Sequence, residues 1–550
     1  MKTIIILCLS VFPILATALD AKKYHQKPKL VVVLVIDQFR GDYLTRFKDQ
    51  FLPEKKSDGS LGGFQFLMSK GAYFPFGEYE MLQDMTGPGH ATISTGAYPY
   101  RTGVPINYWY SVEKGDTVYC AEDEASKTVG EKSPRKHVGT SPKNLEKATS
   151  FTDELKNAGY SSRVVSIALK DRASIFMGGH RADLAMWMDS ETNQWTTSTY
   201  YLPKAELPEW VKTLNEDLKA VKGKKYVWKE SKNKSGLSSK PFEGALNIKK
   251  LKSFGAMFPH EIEEGSYESA SSPLGIEWTA AAAKKAVDSF GLGSQKHTDV
   301  LFVSFSSHDY VGHTFGANSQ EIEEMTLVED KNISDLINHI NKKVPGGVKN
   351  VTFVLTADHG VATNPEYLMA HKIRAGRHDE KKMLEAVNKK LAEKYGAMDK
   401  GHLVHVSEYN FYLNKKVAEE RKADLAQIEK MIKEELKKFD GVAYVISHKD
   451  IQEKKLPFGP LEKQALRTYV PGRSGDFIVI PDPNFFPGDD ATTHMTGYNY
   501  DKVVPIIFNG SHFKPGVYTD AKVVDIAPTL SFLLGVVPPT ASEGKVLPIF

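Results

Sequence analysis

Six apolar runs rich in Val and Ile punctuate the chain: LVVVLVID (30–37), RVVSIAL (163–169), VLFVSF (300–305), VTFVLT (351–356), DFIVIPD (476–482) and VVPIIFNG (503–510). None alternates apolar with polar positions, so each predicts a strand covered on both faces, the pattern of a parallel sheet between helix layers. Helical periodicity fills the intervals. ATSFTDELKNAG (148–159), WTAAAAKKAVDSFG (278–291) and residues 319–343 read as amphipathic helices. The alternation predicts a single large α/β domain over residues 19–550, a doubly wound, mostly parallel sheet with helices on both faces.

Two stretches break the pattern. Residues 192–265 are aromatic and Lys-rich, including KGKKYVWKESKNKSGLSSK (222–240), and read as an irregular surface insertion whose lysines form a solvated face. Residues 365–473 read as a second insertion with helices near 379–395 and 418–439; in the latter, Leu425, Ile428, Ile432 and Phe439 fall on one face. Insertions of this kind commonly roof the active site of an α/β core, so both are expected to be cap segments.

Composition narrows the function classes. With 550 residues, 41% of them hydrophobic, the chain can bury a large core, and a net charge of +3 spread over interspersed Lys and Glu points to no nucleic-acid partner. The opening segment has Lys2, an apolar stretch to about Leu15 and a small-x-small site at Ala16-Thr17-Ala18. It predicts a signal peptide over 1–18 and an exported protein, periplasmic or secreted. No apolar run approaches the roughly 20 residues that a membrane span needs, so no stable membrane association is expected. Cys8 would leave with the signal, and Cys120 alone forms no internal disulfide; it reads as structural.

The chemistry lies at strand ends. Asp309-x-x-x-His313 begins as VLFVSFSSHD (300–309) closes, and Asp358-His359 stands near the end of VTFVLTADHG (351–360). Taken alone, each pair reads as a turn or a helix cap. Together they suggest a metal site, because a parallel sheet delivers residues from the carboxyl ends of its strands into one crevice. Asp37 ends LVVVLVID, and His494 follows DFIVIPD in DDATTHMTG (489–497); their plain readings are a strand-end turn and a surface loop. Three carboxylates and three imidazoles suffice for two zinc ions with open positions for substrate. In DMTGPGHATISTG (84–96), Pro88 suits the first turn of a helix, and Gly87 and Gly89 allow close backbone approach. Thr86 is then either a helix cap or, beside metals, a nucleophile at a helix end that also favours an anion.

The order Asp37, Thr86, Asp309-x-x-x-His313, Asp358-His359, His494, followed by DIAPTL (525–530), resembles the alkaline phosphatase superfamily, in the branch shared with nucleotide pyrophosphatases/phosphodiesterases. The resemblance spans nearly all of the mature chain. Sulfatases of the same superfamily carry a C/S-x-P-x-R motif, and Thr86-Gly-Pro-Gly-His90 lacks both the Cys or Ser and the Arg. Lys170-Asp171-Arg172 after RVVSIAL reads either as a strand-end salt bridge or as two cations for a phosphate monoester, which carries about two negative charges against one on a diester. Similar cations mark the threonine-nucleophile monoesterases of the PafA type. Asn107, in VPINYWY (104–110), matches an Asn found in both branches. The resemblance implies a monomeric, two-zinc alkaline phosphatase that hydrolyses small phosphate monoesters through a phosphothreonine. It implies further that Asp37, Asp358 and His359 hold the zinc that activates Thr86, that Asp309, His313 and His494 hold the zinc at the leaving group, and that Asn107, Lys170 and Arg172 brace the phosphoryl oxygens. The alternative is a phosphodiesterase or nucleotide pyrophosphatase with the same metals and nucleophile.

Overall fold

A computed structural model of the chain describes residues 27–550 apart from 131–132, 147, 231–254, 256, 418–419, 421 and 458. The expected signal peptide over 1–18 and residues 231–240 of the Lys/Ser stretch lie outside the described residues.

The central sheet has ten strands. In chain order they are β1 Leu30–Ile36, β2 Gly71–Glu78, β3 Thr128–Val129, β4 Val164–Ala168, β5 Leu184–Asp189, β6 Gln194–Ser198, β7 Asp299–Phe305, β8 Val351–Thr356, β9 Val503–Asn509 and β10 Gly516–Val517. Their spatial order is β10-β2-β9-β8-β1-β7-β4-β5-β6-β3. β1 lies between β7 and β8, parallel to both, with Leu30 level with Asp299 and Val351. β4 and β5 extend the parallel block, whereas β9 runs antiparallel to β8, and β6 antiparallel to β5. The sheet is therefore mixed at its flanks and parallel at its centre. Every residue of β1 and of β8 is buried, as their unbroken apolar runs require.

The helices that matter here are α1 Thr86–Thr95, α2 Phe151–Asn157, α3 Asp171–Gly178, α4 Pro273–Phe290, α5 Ser307–Phe315, α6 Gln320–Lys343, α7 Glu380–Tyr395 and α8 Leu425–Leu436. Their ends follow local chemistry. Ser319 caps α6 by accepting from Ile322 N–H; Glu321 and Glu323 occupy its first turn, and Lys342 and Lys343 its last, which complements the helix dipole. α4 begins with Ser272 and Pro273 and stops at left-handed Gly291.

Two expectations are corrected. DFIVIPD does not join the central sheet: Phe477–Pro481 pairs with Asn410–Leu413 and Val442–Ser447 in a separate four-stranded sheet that also contains Leu403–Ser407. Phe477 and Val479 share a core with residues of α7 and α8, while Ile478 and Ile480 share another with Leu82 and Ala465. A strand covered on both faces looks continuous in sequence whichever layers cover it, so its pattern could not say which sheet it enters. The described part of residues 192–265 is also more than an irregular surface insertion, since β6 (QWTTS) is fully buried in the central sheet. Its hydroxyls are satisfied by backbone carbonyls, with Thr196 donating to Val129 O at 2.7 Å and Thr197 to Ala185 O at 2.6 Å, so polar side chains concealed a core strand. In α8 the buried stripe is Ile428, Ile432 and Leu436; Leu425, in the first turn, is exposed.

Candidate metal centre

The parallel block sets the site. β1, β4, β7 and β8 all point their carboxyl ends to one edge, where Asp37, Lys170, Asp309 and Asp358 follow within a few residues of each strand. Asp37, Asp358 and His359 present ligand atoms that all lie within 4.8 Å of one another, and Asp309, His359 and His494 do the same. His359 thus stands within reach of both groups. His313 lies at the rim, its Nε2 3.2 Å from Asp309 Oδ1 and its side chain 22% exposed.

Second contacts orient these ligands. Each imidazole turns Nδ1 to a backbone carbonyl: His313 to Thr492 O at 2.9 Å, His359 to Gly360 O at 2.9 Å and His494 to Asp84 O at 2.6 Å. Nε2 of each is left facing the acids, the tautomer that a metal-binding histidine needs. The His359 and His494 rings stack at 3.7 Å. Burial holds both imidazoles below their ordinary pKa, so they stay neutral.

The carboxylates are electrostatically divided. Burial and the neighbouring Asp358 push Asp37 well up. Burial also acts to raise Asp309 and Asp358, but His313 and Lys170 outweigh it at Asp309, and His359 and His90 outweigh it at Asp358; both finish below the usual carboxylate range. Asp37 Oδ1 and His359 Nε2 are sealed from solvent without a hydrogen bond, while Asp37 Oδ2 meets Lys170 and Asp358 Oδ2 meets His90. Burying such groups unsatisfied costs several kcal/mol in total, on the order of 1–3 kcal/mol each. An Asp/His donor set with these orphaned atoms fits divalent cations of the zinc type.

Thr86 is not the cap of α1; Met85 holds that position, and Thr86 is the first helical residue. Its Oγ1 accepts from Lys170 Nζ at 3.2 Å and from Arg172 Nη2 at 3.3 Å. Gly87 N–H donates to Asn107 Oδ1 at 2.9 Å, which brings Asn107 beside the same helix end. A Cβ on Gly89 would stand 2.3 Å from Asp358 O, so only glycine lets α1 approach the metal ligands this closely. Thr86, Asn107, Lys170, Arg172 and all six candidate ligands are therefore gathered at one edge.

The salt-bridge reading of Lys170-Asp171-Arg172 is not what the packing produces. Asp171 accepts from Tyr119 OH and from Gly139 N–H, leaving both cations turned to Thr86. Lys170 Nζ sits 2.8 Å from Asp37 Oδ2 and 2.6 Å from Asp309 Oδ2. Burial favours its neutral amine, yet these two carboxylates win and keep it charged.

Four residues of the site escaped the sequence reading. Gln38, left-handed at φ 66°, donates from Nε2 to Asp309 Oδ1 at 2.6 Å and from its backbone to Asp358 Oδ1 at 3.1 Å, linking the two acids. His90 contacts Thr86 O at 2.8 Å, Ser304 Oγ at 2.8 Å and Asp358 Oδ2 at 3.2 Å. Its position four residues after Thr86 in a predicted helix was a usable signal. Tyr119 and Glu408 carried none, since both arrive from loops or hairpins distant in sequence. Glu408 lies near Arg172, and burial together with Glu380 pushes its carboxyl up to about 8.

Residues 31–503 match the family described as type I phosphodiesterase / nucleotide pyrophosphatase. Alkaline phosphatase PafA of Elizabethkingia meningoseptica is 34% identical over 534 residues, covering 94% of both chains. A Myroides odoratus protein named calcium-transporting ATPase is 34% identical over 541 residues, 96% of this chain and 95% of that one. The crystal structure of PafA superposes with a TM-score of 0.84 at 33% identity, over 95% of this chain and 98% of its own. A PafA variant substituted at one threonine, one asparagine, one lysine and one arginine superposes equally well, with a TM-score of 0.84. Among the described residues, no helix is long and apolar enough to cross a membrane.

Proposed function

The chain belongs to the type I phosphodiesterase / nucleotide pyrophosphatase family, and from that premise we propose that Thr86 is the nucleophile of its phosphatase chemistry. The activity is hydrolysis of phosphate monoesters, that of the alkaline phosphatases it matches over nearly its whole length. The observation that carries the role of Thr86 is its hydroxyl held between Lys170 and Arg172 at the first turn of α1, on the edge that gathers the Asp and His ligands. The PafA variant substituted at a threonine, an asparagine, a lysine and an arginine involves the same four residue types.

Two divalent ions, zinc by the Asp/His donor set, would be held by Asp37, Asp358 and His359 and by Asp309, His313 and His494, with His359 close to both. The chemistry they supply when bound is Lewis-acid stabilisation of oxygen and acidification of a coordinated hydroxyl. The protein's own groups do the rest. Thr86 Oγ attacks phosphorus and forms an O–P bond as the ester P–O bond breaks and the alkoxide leaves; water then cleaves the phosphothreonine and releases phosphate. Asn107 and Arg172 bind the non-bridging oxygens, and Lys170 offsets both the phosphoryl charge and that of Asp37 and Asp309. Gln38 and His90 orient the acids.

Thr86→Ala should lower kcat for a monoester by ~10³-fold or more while metal content and inorganic phosphate binding persist. A variant that keeps wild-type turnover would remove Thr86 from the mechanism. Export with cleavage after Ala18 would give a mature protein beginning at Leu19, which terminal sequencing of secreted material detects.

A further inference from the structure

Asn107 is not held by its own loop alone. The two-residue tip Glu408-Tyr409 joins the cap strands Leu403–Ser407 and Asn410–Leu413. Both tip residues are left-handed, with φ of 54° and 64°, a region that side chains such as these rarely adopt. Strain of this kind persists where surrounding contacts over-determine it.

Here the contacts lead to the nucleophile. The Glu408 carboxyl lies beside the backbone N–H groups of Asn107 and Tyr108, which act against the upward push of burial on its pKa. Ser407 Oγ donates to Tyr108 O at 3.2 Å, and Asn410 Nδ2 donates to Glu408 O at 3.0 Å. Glu408 O also accepts from Gln83, three residues before Thr86. On the other side, Asn107 Oδ1 accepts from Gly87 N–H, one residue after Thr86. The hairpin tip therefore grips both segments that flank the nucleophile. Glu408 Oε2 is sealed from solvent at this junction and has no hydrogen-bond partner.

We propose that Glu408 is a positioning residue of the phosphoryl site: through the Asn107 and Tyr108 N–H groups it sets the Asn107 side chain against Gly87 and Thr86. The second insertion then completes the site. The role rests on the phosphatase reading above, with Asn107 as the group that touches phosphate.

A double-mutant cycle on the zinc-loaded full chain tests it, with kcat and KM for p-nitrophenyl phosphate as readouts. Glu408→Ala should lower kcat/KM about tenfold, mainly through kcat, as displacement of a positioned group does. Glu408→Gln, whose amide oxygen still accepts, should recover at least about threefold of that loss. In an Asn107→Ala background, Glu408→Ala should cost about twofold or less. An equal penalty in both backgrounds, or none in either, overturns the proposal. If Glu408→Ala melts before assay, Glu408→Asp, which retracts the carboxylate by one methylene, replaces it in the same cycle with the same expected loss. A wild-type chain inactive on monoesters would instead overturn the phosphatase reading itself.

Discussion

The pair Lys170 and Arg172 should set the preference for monoesters over diesters, and changing both to alanine measures how much. Each cation makes a charge-assisted contact with Thr86 Oγ1, at 3.2 and 3.3 Å. A hydrogen bond to a charged group contributes about 1.5–3 kcal/mol, so removing two from the transferring phosphoryl group costs ~3–6 kcal/mol. Lys170 belongs at the low end, because it already divides its charge between Asp37 and Asp309 at 2.8 and 2.6 Å. Taking ~4 kcal/mol, at about 1.4 kcal/mol per tenfold, kcat/KM for a monoester should fall by ~10³. A diester presents about one charge where the monoester presents two, so its loss should be closer to 10–30-fold, and the monoester/diester ratio should drop by ~30–100-fold. The assay is p-nitrophenyl phosphate against methyl p-nitrophenyl phosphate on the same zinc-loaded enzyme. Metal content is measured alongside, because the variant leaves Asp37 and Asp309 without their ammonium and should hold cations at least as tightly. Equal losses on both substrates with metal intact would refute the assignment.

Dialysis against a chelator should abolish activity and lower Tm, and zinc should restore both; site-specific binding at a thousandfold excess over Kd stabilises by ~4 kcal/mol, and a chelated protein that stays active contradicts the metal centre. Gly89→Ala puts a Cβ 2.3 Å from Asp358 O and should cost ~2 kcal/mol or more. Calorimetry together with metal analysis checks it, and wild-type values for both would mean that the helix can shift freely. Asp330, which accepts from the N–H groups of Leu52 and Phe64, is raised by burial from 3.8 to about 6. A carboxyl with a raised folded pKa contributes stability that is full below its unfolded pKa and lost as pH rises through the folded one, here between about pH 4 and 6. The loss is roughly 3 kcal/mol. Asp330→Asn keeps only one acceptor and so carries a constant offset, but its Tm relative to wild type should rise between pH 4.5 and 7; a difference that does not change with pH would dismiss the linkage.

How much of this was legible beforehand depends on the range over which each feature is encoded. β1, β4, β7, β8 and β9 are visible as apolar runs, because a strand buried on both faces needs apolar side chains at successive positions. Asp37, Asp309, Asp358 and His359 are visible for the same reason, being polar residues that stand at or just after the ends of those runs. Buried β6 was hidden by its hydroxyls, whose acceptors lie on other strands. The strand after Ser474 reads as part of the central sheet, but its two apolar faces pack on α7 and α8 and on Leu82, and nothing local distinguishes those partners from helices of the central layers.

The sequence by itself determined which residue types stand at strand ends, and so that a carboxylate and imidazole cluster faces one edge beside a threonine at a helix start. Only the tertiary structure decided that Lys170 and Arg172 turn to Thr86 instead of Asp171, that His359 stands within reach of both ligand groups, and that Gln38, His90 and Glu408 belong to the site. The physical reason is that strand and helix formation follows side-chain period along a few residues, whereas Glu408 meets Asn107 across some 300 positions only because the hairpin of the four-stranded sheet packs against the segment that carries Asn107.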